Sequence, residues 1–158
     1  MSGKNKIKIK LWHEREVVFS IEKKLILINW KNIANKVLLV EDDRLFATVL
    51  KSTLEKNEYS VSVYYDAESA LVAIEQGLIK PELVISDLHL PGMNGDLFLD
   101  KIRAEHSNLP FIVLTSEEQE LKEVDLVLKG AGAYLKKNED IRIILAWCRQ
   151  LIMANNVN

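Results

Sequence analysis

Five short apolar runs, each followed by a stretch of helical spacing, constrain this chain most, and all five lie beyond residue 36. The runs cover residues 37–40, 60–65, 83–86, 110–114 and 133–135. Between and after them the apolar residues repeat every three or four positions. Leu45, Val49, Leu50 and Leu54 mark a first helix up to Lys56, and residues 67–76 a second, closed by Gly77. A third, from Asp96 to about His106, carries Leu97, Phe98 and Ile102. An acidic helix begins near Glu117 and stops at Gly130-Ala131-Gly132, and a last one carries Ile141, Ile144, Leu145, Cys148, Leu151 and Ile152. Strands that alternate with helices need crossover connections, so the expected fold class is α/β, with a doubly wound five-stranded parallel sheet.

The residues at the ends of these runs carry the chemistry. The first run ends in Glu41-Asp42-Asp43, and the third in Asp87, with Pro91 four residues on and Gly95 eight on. The fourth ends in Thr115-Ser116 and the fifth in Lys136-Lys137. Open α/β sheets hold their ligands at the carboxyl ends of the strands, and parallel neighbours bring these groups to one edge. Carboxylates gathered there repel one another, and a hard divalent cation with oxygen ligands relieves the repulsion, Mg²⁺ being the common case. Acids for a metal, a nucleophilic carboxylate, a hydroxyl and a lysine are what phosphoryl transfer to an aspartate requires.

In order and spacing, Glu41-Asp42, Asp87 with Pro91 and Gly95, Thr115, Tyr134 and Lys137 make residues 36–153 resemble the receiver domains of two-component response regulators. The resemblance implies a flavodoxin-like strand order, 2-1-3-4-5, and a phosphoacceptor role for Asp87. It implies Mg²⁺ held by Asp42, Asp87 and the backbone carbonyl of His89, with Glu41 in the outer shell. Thr115 and Lys137 are then the phosphate-binding pair, and Thr115 with Tyr134 the switch. Asp43 is read as the cap of the first helix, and the His89 imidazole as a tuner of water access. Lys137 is preferred to Lys136 because it stands three residues after Tyr134; strand alternation would send the two side chains to opposite faces. One departure stands out: the family usually has a cis proline after this lysine, whereas Asn138 follows here, and a cis bond without proline costs about 3 kcal/mol. A trans or strained loop is expected.

Charge divides the 158 residues unevenly. Residues 1–36 hold nine Lys/Arg and three Glu, and residues 37–158 hold twelve Lys/Arg and twenty Asp/Glu, within a net charge of -2. An acidic body argues against direct nucleic-acid contact. No run of eighteen apolar residues is present, and Glu22-Lys23-Lys24 breaks the most apolar N-terminal stretch, so no transmembrane segment is expected. With the single Cys148 this suggests a cytoplasmic address. Residues 1–35 are read as an N-terminal extension of unknown role and 154–158 as a tail. The alternation around Lys6–Leu11 and the runs 17–19 and 25–28 admit a basic β-hairpin. The extension is open to three readings, a packed element first, then a translated leader, then a basic arm. As a packed element, it would cover Ile143 and Trp147 of the last helix.

The implied partners are a sensor histidine kinase or a histidine phosphotransfer protein, and a downstream target. The end of the sequence just past the last helix favours output by docking or by a phosphorelay, and Ile143 and Trp147 leave open a dimer through that helix. Two other functions compete. One is a constitutive pseudo-receiver, suggested by Asn138. The other is a Mg²⁺-dependent phosphatase with an aspartyl nucleophile, which needs a second acid where His89 stands.

Overall fold

The computed structural model describes residues 8–12, 16–21, 24–29, 34–116 and 120–156, with side chains from residue 34 onward except at 120 and 121. The chain forms two compact units, residues 1–34 and 35–158. In the first, β1 (Lys8–Trp12), β2 (Glu16–Ile21) and β3 (Lys24–Asn29) pair antiparallel in sequence order. The hairpin expected there is therefore a three-stranded meander, because the third apolar run also pairs, Phe19 lying opposite Ile26. Its side chains, and so the expected cover for Ile143 and Trp147, lie outside the described residues.

The second unit alternates strand and helix throughout. It runs β4 (Asn35–Val40), α1 (Arg44–Lys56), β5 (Tyr59–Tyr64), α2 (Ala67–Glu75), β6 (Leu83–Asp87), α3 (Gly95–Glu105), β7 (Phe111–Thr115), α4 (Glu120–Leu128), β8 (Ala133–Lys136) and α5 (Ile141–Asn155). The sheet is parallel in the order β5-β4-β6-β7-β8, which is the expected 2-1-3-4-5 arrangement. Helix α5 reaches two residues into the stretch read as a tail, and the start expected near Glu117 lies outside the described residues, which resume at the Glu120 helix.

Strand alternation divides the core. Val37 and Leu39 of β4 face a cluster with Leu50 and Leu54 of α1 and Ile144, Cys148 and Ile152 of α5. Leu38 and Val40 face the opposite cluster with Ala67 and Ala70 of α2, Phe98 and Ile102 of α3 and Leu126 of α4. A sheet covered on both faces needs apolar residues at successive positions, which is why its strands read as continuous runs. Burial pushes the Cys148 thiol up to about 12, so it is a packing residue.

Two helical stripes differ from expectation. In α1 the buried residues are Ala47, Leu50 and Leu54, whereas Leu45 is 75% exposed and Val49 58%. Leu45 and Val49 are one turn apart and mimic a core stripe, but half-buried Phe46 begins the true one, four residues before Leu50. In α3 Leu97 is exposed, and Leu99 takes its place beside Phe98 and Ile102. On α5 the Ile143 side chain is exposed, while Trp147, expected off the core stripe, is half-buried and packs on the first cluster.

The ends of α1 and α3 set up the site. The Asp43 carboxylate caps α1, accepting from the Leu45 and Phe46 N–H groups at 2.9 and 3.0 Å. The Asn94 side chain caps α3 by accepting from Leu97 N–H at 2.9 Å. Asp96 in the first turn of α3 pairs with Lys122 and Lys129 of α4. Burial opposes its ionisation, but the two lysines outweigh that and hold its carboxyl below the usual value.

Candidate metal and phosphoryl site

Three strand ends deliver side chains to one point at the carboxyl edge of the sheet, and a fourth is tied to it through its backbone. Asp87 is the last residue of β6 and 4% exposed; Glu41, directly after β4, is wholly buried. Lys137 follows β8, and its backbone N–H donates to the Thr115 carbonyl at 2.7 Å, so the last turns of β7 and β8 are tied together. Its ammonium donates to Asp87 Oδ2 at 2.6 Å and to Glu41 Oε1 at 2.8 Å. Lys136 ends β8 in register with Thr115 and extends the ladder one residue short of this point.

Each oxygen has a distinct environment. Asp87 Oδ1 accepts from the His89 backbone N–H at 3.1 Å, and Glu41 Oε1 also accepts from Asp43 N–H at 3.1 Å. Glu41 Oε2 is buried, 2.8 Å from the Lys137 ammonium, without a hydrogen bond. Burial raises the Glu41 carboxyl above the usual carboxylate range, with Asp87 adding to the effect and Lys137 opposing it. Burial disfavours the Lys137 ammonium, but Asp87 and Glu41 outweigh that and raise its pKa.

One oxygen each from Glu41, Asp42 and Asp87 lies within 4.8 Å of the others. Three carboxylates at that spacing, with one ammonium among them, that of Lys137, suit a hard divalent cation. Asp42 is the exposed member of the three and Glu41 the deepest. Thr115 is fully buried at the end of β7, Tyr134 is half-buried beside the second core cluster, and the His89 side chain is exposed. The peptide joining Lys137 to Asn138 is trans, in line with the loss of proline.

Gly95 explains the glycine eight residues past Asp87. A Cβ there would lie 2.2 Å from the Asp87 carbonyl oxygen and 2.9 Å from Leu88 Cα, so the first residue of α3 rests directly on the strand end that carries the carboxylate. Phe46 escapes a reading of motifs: its ring centroid is 5.1 Å from the Lys137 ammonium. The one sequence signal for it was the spacing to Leu50 and Leu54.

A doubly wound parallel sheet of this order, with acids and a lysine at its carboxyl edge, defines a flavodoxin-like α/β protein. Residues 37–149 match the response regulator receiver domain, and the chain belongs to that family. Over 113 residues it is 35% identical to the response regulator protein FleR of Pseudomonas aeruginosa, covering 72% of this chain and 24% of FleR. Over 122 residues it is 35% identical to the transcriptional regulatory protein CpxR of Escherichia coli, covering 77% of this chain and 51% of CpxR. The chain thus spans a quarter to a half of these curated relatives. Among solved structures, the BeF3-activated N-terminal receiver domain of Klebsiella pneumoniae RstA superposes with a TM-score of 0.69 at 28% identity, covering 75% of this chain and 98% of that one. The chemotaxis response regulator CheY4 of Vibrio cholerae gives a TM-score of 0.68 at 25% identity over the same shares. Among the described residues no helix is long and apolar enough to cross a membrane.

Proposed function

We propose that this protein is a phosphorylation-switched signalling module that accepts a phosphoryl group on Asp87 from the phosphohistidine of a sensor kinase or phosphotransfer protein. The carrying observation is the Lys137 ammonium 2.6 Å from Asp87 Oδ2, at a strand end shared with two more carboxylates. A carboxylate oxygen of Asp87 attacks phosphorus as the bond to the imidazole nitrogen breaks, and the nitrogen keeps the electron pair. Asp42, Asp87 and the His89 carbonyl, with Glu41 behind them, would hold Mg²⁺, which when bound would supply charge stabilisation for the transferring group. Lys137 turns from the carboxylates to a phosphoryl oxygen, and the Thr115 hydroxyl takes another. The work of the site is positioning and charge stabilisation. Inward movement of Thr115, followed by Tyr134, carries the change to the surface; later hydrolysis makes the state a timer. A downstream protein reads it by docking or relay, in the cytoplasm and without direct nucleic-acid contact by the acidic receiver body. The phosphatase reading lacks its acid, since His89 stands two residues past Asp87.

Two experiments test the parts. Mg²⁺ is expected to bind without phosphate, and Asp42→Ala to weaken it by at least tenfold, about 1.4 kcal/mol; titration calorimetry on the two proteins checks this, and equal affinities refute the site. Lys137→Ala is expected to permit slow labelling by acetyl phosphate while uncoupling it from shifts at Thr115 and Tyr134, with Lys136→Ala close to neutral. NMR shifts of the two residues on phosphorylation report the coupling, and the reverse ranking would move the role to Lys136.

A further inference from the structure

Lys137 poses a problem of order that its charged partners leave unsolved. It lies in the loop after β8, its backbone is tied by one bond to Thr115, and Asn138 replaces the stiffer proline usual at the next position. A lysine side chain there has many rotamers, and its two carboxylate partners are the groups whose charge changes most as the site works. Phe46 is different. Its backbone sits in the first turn of α1, fixed by the N–H donated to the Asp43 cap at 3.0 Å, and its half-buried side chain packs on the core beneath the site. Its ring centroid lies 5.1 Å from the Lys137 ammonium, within the range in which an aromatic quadrupole attracts a cation, and the Lys137 side chain is 16% exposed, so solvent screens the contact little.

We propose that Phe46 is a positioning residue: its ring holds the Lys137 ammonium at the site by a cation–π contact, whether or not the carboxylates are engaged elsewhere. A neutral π face suits this because it attracts the ammonium without trapping it, as a third carboxylate would. The effect on rate rests on the phosphoacceptor reading above; the effect on Lys137 order does not.

The test uses the full chain with Phe46 replaced by leucine, by tyrosine, or by singly, doubly and triply fluorinated phenylalanine. Fluorination drains the ring quadrupole and nearly keeps its shape, so a packing role would scarcely respond. The first readout is NMR relaxation of the Lys137 side chain in metal-free, unphosphorylated protein. The second is the rate of Asp87 phosphorylation by phosphoramidate at saturating Mg²⁺. Lys137 is expected to become more mobile step by step with fluorination and in Phe46→Leu, and to stay ordered in Phe46→Tyr. The rate is expected to fall about fivefold in Phe46→Leu and in the triply fluorinated protein, with Phe46→Tyr near native. A Lys137 side chain as ordered in the triply fluorinated protein as in the native one overturns the proposal. Should the native protein take no phosphate, the phosphoacceptor reading fails and the metal-free relaxation series alone decides the role of Phe46.

Discussion

Asp87→Asn is expected to abolish acid-labile labelling by acetyl phosphate and Mg²⁺ while leaving the fold intact. An amide is isosteric with the carboxylate but lacks the anionic oxygen that attacks phosphorus. Glu41 and Asp42 are not expected to stand in for it: Glu41 is wholly buried against Lys137, and Asp42, though its carboxylate is in the same cluster, is exposed rather than held against the Lys137 ammonium. Nor should the substitution unfold the domain. Asn keeps an acceptor for the His89 N–H, now 3.1 Å from Asp87 Oδ1, and Lys137 retains Glu41 as its counter-ion. Removing Asp87 also relieves the repulsion that helps raise the Glu41 carboxyl, so stability is expected to hold or rise slightly. Intact-mass detection of one added phosphoryl group per native chain, and none in the variant, checks the result. Undiminished labelling of Asp87→Asn would place the acceptor elsewhere.

Gly95→Ala is expected to have the largest effect on stability of any single methyl added to this domain. The new Cβ would meet the Asp87 carbonyl oxygen at 2.2 Å, and that oxygen is backbone in the middle of the sheet, with no rotamer through which to yield. Moving α3 away instead would strain the Gly95 N–H bond to the Leu88 carbonyl, now 2.9 Å, and pull Phe98 and Ile102 from the core. Overpacking of this kind costs about 3 kcal/mol, which corresponds to a fall in Tm of roughly 10 °C for a domain of this size. Gly77→Ala is the control. There φ is +69°, but nothing lies within 4 Å of the added carbon, so only the left-handed backbone penalty of about 1 kcal/mol applies. Chemical denaturation of the two variants separates steric contact from backbone conformation, and equal losses would mean that the α3 contact yields after all.

What the sequence determined by itself was the order of elements and the edge at which the chemistry gathers. Both follow from local rules. Apolar runs covered on two faces read as strands whatever their neighbours are, and parallel connection sends every strand's carboxyl end to the same side. Glu41, Asp42, Asp87, Thr115 and Lys137 could therefore be named as neighbours, although 96 residues separate Lys137 from Glu41. Alternation with a period of two shows only that Lys136 and Lys137 face opposite ways; the preference for Lys137 rests on the resemblance, with Tyr134 three residues before it.

Depth and facing were decided by tertiary structure alone. Leu45 and Val49 have the spacing of a core stripe and lie in solvent, because the sheet meets α1 along Ala47, Leu50 and Leu54; an i, i+4 pair shows that two residues share a face and not which way the face points. The same limit hid Leu99 behind Leu97 in α3. Of the adjacent acids Glu41 and Asp42, only packing could show that the first is sealed against Lys137 and the second faces outward. Phe46 is the clearest case. Its place over the Lys137 ammonium depends on the turn of α1 and on the sheet that carries β8, two elements more than seventy residues apart, and their approach is set by the core between them rather than by any pattern along the chain.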